Sequence, residues 1–316
     1  RFDDSGMTEH VLPVDLDGDG LLDLYFGNYD HSSLGNTLNR VYLNRGGLQF
    51  AFGGAVGGGA TWTTSAFDAD GDGDQDLYVA NDTLLVDFGR PVASSPSTSS
   101  LQADVFLRND GLDAEGLLRL TDIAPSMGLT KPRSSMGGVI ADFDDDGRLD
   151  IYVPDYGSKK LFLRDPAGGF VESAAALGVL GTVRLNAECG PDTENEHCLL
   201  LSWSAAQSDF DLDGYDELLV VNGESELGKP PPVLMFARGP ELPYHEVSPD
   251  IASLDARGLI VSDLDGDGDQ DVVIHQNNGL LWESTYFWHW DSVSYHKSGW
   301  TTTFDQLVCA TPVFVD

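Results

Sequence analysis

Five short segments of this 316-residue chain repeat one acidic pattern, and no other feature limits the fold as strongly. They are DLDGDGLLD from Asp15, DADGDGDQD from Asp68, DFDDDGRLD from Asp142, DFDLDGYDE from Asp209 and DLDGDGDQD from Asp263. Each has Asp at positions 1, 3 and 5, Gly at 6 and a carboxylate at 9. A solvated acidic turn would accept Asp, Asn, Glu or Ser at varying positions, and these copies do not vary in that way.

Alternating Asp residues on a tight loop converge several carboxylates on one point, which suits a hard cation taking six to eight oxygen ligands. Gly20, Gly73, Gly147, Gly214 and Gly268 allow a sharp turn, after which position 7 offers its backbone carbonyl. Without a cation, carboxylates about 4 Å apart repel by roughly 1–4 kcal/mol per pair. Calcium is favoured over magnesium, which keeps its waters and rarely uses all-protein cages. The expected ligands are Asp15, Asp17, Asp19, Leu21 and Asp23 in the first loop and Asp68, Asp70, Asp72, Asp74 and Asp76 in the second. Asp142, Asp144, Asp146, Arg148 and Asp150 follow in the third, and Asp209, Asp211, Asp213, Tyr215 and Glu217 in the fourth. Asp263, Asp265, Asp267, Asp269 and Asp271 complete the fifth, with Leu21, Asp74, Arg148, Tyr215 and Asp269 acting through their carbonyls. About five Ca²⁺ per chain are expected.

The flanks define the scaffold. An EF-hand needs Glu at position 12 and a helix on each side. Position 12 is instead Phe26, Val79, Val153, Val220 and Ile274, inside β-rich runs such as DLYVAN and ELLVVN. A second apolar run precedes each loop, as in GGVIADFD, so the unit is a strand–loop–strand hairpin. RVYLN at 40–44, DVFLRN at 104–109, KLFLRD at 160–165 and PVLMFA at 232–237 supply a third strand. LQFAF at 48–52, LLRLTD at 117–122 and GGFVES at 168–173 supply a fourth. One period is thus four strands, A to D, with the metal loop between A and B.

In the D-x-D-x-D-G-x-x-D loop, the apolar strand after it and the stretch from Asn39 to Asn44, the chain resembles the FG-GAP or VCBS repeats of the integrin α-subunit propeller. The resemblance implies an all-β propeller of four-stranded blades, with calcium on one face and ligand-binding loops on the other. Integrin propellers have seven blades. Here the first Asp residues stand 53, 74, 67 and 54 residues apart, which favours five. The expectation is a single propeller domain over 1–316, with residues 9–15 supplying the strand that closes the last blade.

Excess length sits at 83–103, between strands B and C, and at 174–198, between D and the next A. Both emerge opposite the metal loops and are read either as the binding face or as tolerated surface variation. Cys189 and Cys198 bracket a polar stretch that a local disulfide would staple, two free thiols being the alternative, and Cys309 is left to burial. The aromatic run from Trp282 to Trp300 is either a sugar-stacking platform or packing of the closing blade.

Fifty-two acids against 17 Lys and Arg give a formal charge of −35, which disfavours nucleic acid and anionic membranes as partners. No apolar run reaches the length of a membrane span. The chain opens on Arg1, and a mature or trimmed secreted form is expected. The seven His show no zinc spacing, and no P-loop, nucleophile elbow or dinucleotide fingerprint occurs. The expected function is an extracellular adhesion or recognition module for a protein or glycan, alone or within a larger cell-surface chain, rather than an enzyme. A polysaccharide lyase or hydrolase on the same scaffold is the alternative, and it would need a convergent acid/base set in a cleft.

Overall fold

A computed structural model describes residues 8–29, 38–82, 86–87, 90–91, 103–131, 133–156, 158–181, 201–223, 233–247, 256–264, 266, 268–277, 283–290 and 295–304. Among these residues there are 22 strands, making five four-stranded antiparallel sheets and one two-stranded ribbon. The fold is all-β and propeller-like, and no helix among the described residues is long and apolar enough to cross a membrane.

The first sheet is β1 (Thr8–Val14), β2 (Asp23–Asn28), β3 (Leu38–Asn44) and β4 (Phe50–Gly57), in that order. The second is β5 (Thr61–Phe67), β6 (Asp76–Asn81), β9 (Val105–Leu112) and β10 (Leu118–Asp122), and β7 (Val86–Asp87) and β8 (Arg90–Pro91) form the separate ribbon between β6 and β9 in the chain. The third is β11 (Val139–Ala141), β12 (Asp150–Val153), β13 (Lys160–Arg164) and β14 (Phe170–Glu172). The fourth is β15 (Leu201–Ser208), β16 (Glu217–Gly223), β17 (Leu234–Ala237) and β18 (His245–Val247). The fifth is β19 (Ala256–Ser262), β20 (Asp271–Asn277), β21 (Glu283–Trp290) and β22 (Tyr295–Phe304). Every Asp loop joins the first strand of its sheet to the second, as the hairpin reading requires.

One expectation is corrected. Residues 9–15 do not close the last sheet: β1 pairs with β2 in register from Val14↔Asp23 to Thr8↔Asn28. The last sheet has four strands of its own, because the aromatic C-terminal stretch supplies β21 and β22. A short loop leaves its two flanking strands adjacent, so the hairpin forms at the lowest closure cost.

The chain divides into two compact units, residues 1–151 with 162–171, and residues 152–161 with 172–316. In the first, Val14, Tyr25, Val41 and Leu43 pack with Leu77, Val79, Val105 and Leu107. In the second, Phe210, Leu219, Val221 and Val233 pack with Ala256, Leu259, Val272 and Ile274. The second strand is the apolar centre of each sheet: every residue of β6, β12 and β16 is buried. Strands covered on both faces carry continuous apolar runs instead of strict alternation, which explains DLYVAN and ELLVVN.

Candidate metal centre

All five loops are folded by their own first Asp. Its Oδ2 accepts the N–H of the position-6 glycine at 2.9, 3.0, 2.8, 3.0 and 3.0 Å, in chain order from Asp15 to Asp263. That glycine has φ between +84° and +97° in every copy, a region that costs L-residues about 1–2 kcal/mol. Position 4 is also left-handed. It is Gly18, Gly71 and Gly266 in three loops, but Asp145 (φ 59°) and Leu212 (φ 58°) in the other two. The N–H groups of Leu21, Asp74, Arg148 and Tyr215 at position 7 each donate to the position-5 carboxylate at 2.9 Å.

Position 9 begins the second strand and is buried. Asp23 Oδ2 accepts the Leu16 N–H at 2.9 Å while Oδ1 accepts the Asn44 N–H from the third strand at 2.7 Å. Asp76 holds Ala69 at 3.0 Å and Asn109 at 2.8 Å, and Asp150 holds Phe143 at 2.8 Å and Arg164 at 2.7 Å. Asp271 accepts the Leu264 N–H at 2.9 Å. This carboxylate therefore pins the loop start to the sheet. Burial pushes Asp23 and Asp76 up, and Asp150 up to about 6, against the opposing pull of the same N–H donors. Glu217 accepts the Phe210 N–H at 2.9 Å and is held by the Asp211 backbone as well, both within the loop, and burial pushes it up to about 7.

Among the described residues, four loops bring three carboxylates together, with ligand atoms mutually within 4.8 Å: Asp15–Asp17–Asp19, Asp68–Asp70–Asp76, Asp142–Asp144–Asp146 and Asp209–Asp211–Glu217. Each cluster can hold one metal ion. The donor set is all oxygen and anionic, which suits a hard cation such as calcium. Three of the clusters also contain a buried carboxylate oxygen with no hydrogen-bond partner among the described residues, namely Asp17 Oδ1, Asp144 Oδ1 and Glu217 Oε1. A buried unpaired oxyanion is costly, and a coordinating cation satisfies it directly. The residues present fit calcium.

Two arginines lean into these clusters. Arg45 NH1 lies 2.9 Å from Asp17 Oδ2, and the Arg148 guanidinium pairs with Asp146. Arg148 thus reaches its loop through the side chain as well as through the carbonyl expected of position 7, and Arg45 lies outside the acidic repeat.

In the fifth loop, Asp263, Asp269 and Asp271 are described, whereas Asp265 and Asp267 lie outside the described residues. So do Cys189, Cys198, Cys309 and Trp282, and the side chains of the aromatic run on β21 and β22 are likewise not described.

The opposite ends of the hairpins carry a second repeated device that the acidic template passed over. Thr8, Thr61 and Ser202 each donate to the Asn opposite them in the same hairpin: Asn28 at 2.9 Å, Asn81 at 3.0 Å and Asn222 at 2.5 Å. Extending the repeat alignment seven residues upstream and five downstream of the acidic loop exposes this pair. In the second sheet the set grows into a buried ion pair, with Asp104 accepting from Tyr78, Ser135 and Arg133 at 2.7, 2.9 and 3.2 Å.

Residues 15–79, spanning the first two loops, match the family model described as FG-GAP-like repeat, as the resemblance implied. No curated protein matches the chain. Among solved structures, the chain is similar to an Agrocybe aegerita lectin described as recognising non-reducing terminal N-acetylglucosamine. That match has 15% identity and a TM-score of 0.45, covering 94% of this chain and 66% of the lectin. It is also similar to the V. cholerae biofilm matrix protein Bap1, at 14% identity and a TM-score of 0.43, covering 95% of this chain and 40% of Bap1. Likenesses this distant fix neither a ligand nor an activity.

Proposed function

We propose that this chain is an extracellular calcium-binding recognition module, with its five sheets as the blades of one propeller and calcium as a structural ion. The observation that carries the reading is the recurrence of one loop in which carboxylates converge and a buried oxygen is left without a donor, as at Asp17, Asp144 and Glu217. The FG-GAP-like repeat over residues 15–79 supports it. Positions 1, 3, 5 and 9 would ligate through carboxylates and position 7 through its carbonyl. Bound calcium would supply the positive charge that lets several carboxylates share one loop.

In this reading the metal face is committed to stability, so the protein or glycan ligand belongs on the opposite face, where the 83–103 and 174–198 insertions leave the sheets. The reading gives the chain no catalytic role.

The test is a thermal melt with and without chelator at fixed ionic strength. Each occupied site adds RT ln(1 + [L]/Kd), roughly 0.7–1.8 kcal/mol at about 2 mM calcium if Kd is about 10⁻⁴–10⁻³ M. Several sites together rival the roughly 5–15 kcal/mol that holds a typical domain folded, so chelation should lower the midpoint steeply. An unchanged midpoint would remove calcium from the proposal. A glycan array run beside an activity screen on polysaccharides separates a recognition module from a lyase or hydrolase.

A further inference from the structure

The first three loops are joined by an unbroken chain of hydrogen bonds within one compact unit. Asp23 of the first loop accepts the Leu16 N–H at 2.9 Å, and the Leu16 carbonyl accepts Asn109 Nδ2 from the second sheet at 2.8 Å. The Asn109 N–H donates to Asp76 of the second loop at 2.8 Å, whose other oxygen holds the Ala69 N–H at 3.0 Å. The Ala69 carbonyl accepts Arg164 from the third sheet at 3.4 Å, and the Arg164 N–H donates to Asp150 of the third loop at 2.7 Å. Asp150 closes the series on the Phe143 N–H at 2.8 Å.

Each connecting residue does two jobs. Its backbone N–H reads the position-9 carboxylate of its own sheet, and its side chain reads the position-2 carbonyl of the neighbouring loop. We propose that Asn109 and Arg164 are positioning residues that couple neighbouring calcium loops, so that occupancy of one loop raises the affinity of the next. This rests on the calcium reading above.

The geometry supports transmission. Asn109 and Leu16 are almost fully buried, so a shift at Asp23 cannot be absorbed by solvent and must move the next peptide. The two links differ. Asn109 makes a short bond to Leu16, whereas Arg164 makes a long one to Ala69 and divides itself between Met127 Sδ and the Phe170 ring. Coupling between loops 1 and 2 therefore exceeds coupling between loops 2 and 3. Asn44 is an internal control. It occupies the Asn109 position of the first sheet and makes the same local bonds, to the Leu22 carbonyl and from the Gly46 N–H. Asn109 matches these at the Gln75 carbonyl and the Gly111 N–H and adds the bond to the neighbouring loop.

The experiment is a calorimetric calcium titration of the full chain, before and after emptying loop 1 with Asp15→Ala and Asp17→Ala. Emptying loop 1 should weaken a second site by about fivefold or more, the lower end of ordinary coupling. In an Asn109→Ala background the same change should leave the remaining sites within about twofold, whereas Asn44→Ala should leave the coupling intact. Arg164→Ala should reduce it less than Asn109→Ala. Asn109→Ser, which keeps an acceptor for the Gly111 N–H, serves if the alanine variant does not fold in saturating calcium. Independent sites in the parent chain, or equal effects of Asn44→Ala and Asn109→Ala, overturn the coupling while leaving calcium binding standing. No calcium heat at all overturns both.

Discussion

Position 9 does different work in the first three loops and in the fourth. Asp23, Asp76 and Asp150 spend both oxygens on backbone N–H groups, one from the loop and one from the third strand. Glu217 reaches one methylene further, is held only by backbone groups of its own loop and, among the described residues, leaves Oε1 buried without a donor. The same charge is a staple in three copies, each oxygen already holding a backbone N–H before any cation binds. In the fourth it depends on something the chain does not provide. Loops 1 and 3 carry their orphan oxygens at position 3, on Asp17 and Asp144. In loop 4 the orphan falls on the residue that ties loop to sheet, so there the tie itself should answer to calcium.

The largest expected effect comes from isosteric amides at the two kinds of position, compared in chelator. Asp150→Asn must turn an NH₂ toward the N–H of Phe143 or Arg164, setting donor against donor in a buried site. A cost of about 2–4 kcal/mol follows. Glu217→Gln keeps its acceptor for Phe210 and replaces the unpaired oxygen, so it should cost under about 1 kcal/mol. Denaturant melts of both variants check this, and equal losses would erase the distinction between staple and orphan.

A smaller effect is expected from pH, again without calcium. Burial lifts Glu217 to about 7, so between its unfolded value near 4.5 and about 7 the folded state holds the extra proton. That contribution is present at low pH and falls as pH rises through the window, on the order of 2 kcal/mol in total. Asp150, lifted to about 6, adds to the same slope over a lower range. His10, which burial lowers to about 4 from its usual 6.5, adds an opposite slope over the lower part of the window. Glu217→Gln should flatten the upper part of the curve, and excess calcium should do the same by favouring the charged form. If Glu217→Gln follows the same slope as the parent from pH 5 to 7 in chelator, the burial assigned to Glu217 is contradicted.

The acidic template located all five hairpins because it combines two short-range rules, a turn that needs glycine and a flanking run that needs β-formers. It could not say which carboxylates face a cation and which face the backbone. That depends on Asn44, Asn109 and Arg164, one strand away, whose N–H groups approach only after the sheet forms. Arg45 reaching Asp17 was hidden for the same reason, being 28 residues from its partner. Counting periods around a ring places β1 in the last sheet, whereas the local signal, two apolar runs flanking one loop, pairs it with β2 as the structure does. The Thr/Ser–Asn pairs at 20-residue spacing were legible but were overshadowed by the acidic motif.

The smallest expected effect separates the loops by their fourth position. Leu212 sits at φ 58° and is 52% exposed, so it takes on left-handed strain with little burial in return. Leu212→Gly removes a strain of about 1–2 kcal/mol but loosens the unfolded chain by about 0.5–1 kcal/mol. The net gain should be about 0.5–1 kcal/mol, read as a higher melting midpoint in saturating calcium. Asp145 has nearly the same φ, 59°, but Asp tolerates this region through local hydrogen bonding, so Asp145→Gly should stay within about 0.5 kcal/mol of the parent. The hydrogen bonding of the two loops follows the same divide. Where position 4 is Gly18, Gly71 or Gly266, its own N–H binds the first Asp, at 2.9, 2.7 and 2.7 Å. Where it is Asp145 or Leu212, the bond moves to the next residue, Asp146 or Asp213, at 3.1 and 3.0 Å. If Leu212→Gly relaxes loop 4 toward the glycine pattern, calcium affinity should rise together with the midpoint. A higher midpoint at unchanged affinity would place the strain in the turn alone, and a lower midpoint would mean that Leu212 packs in a way its exposure does not reveal.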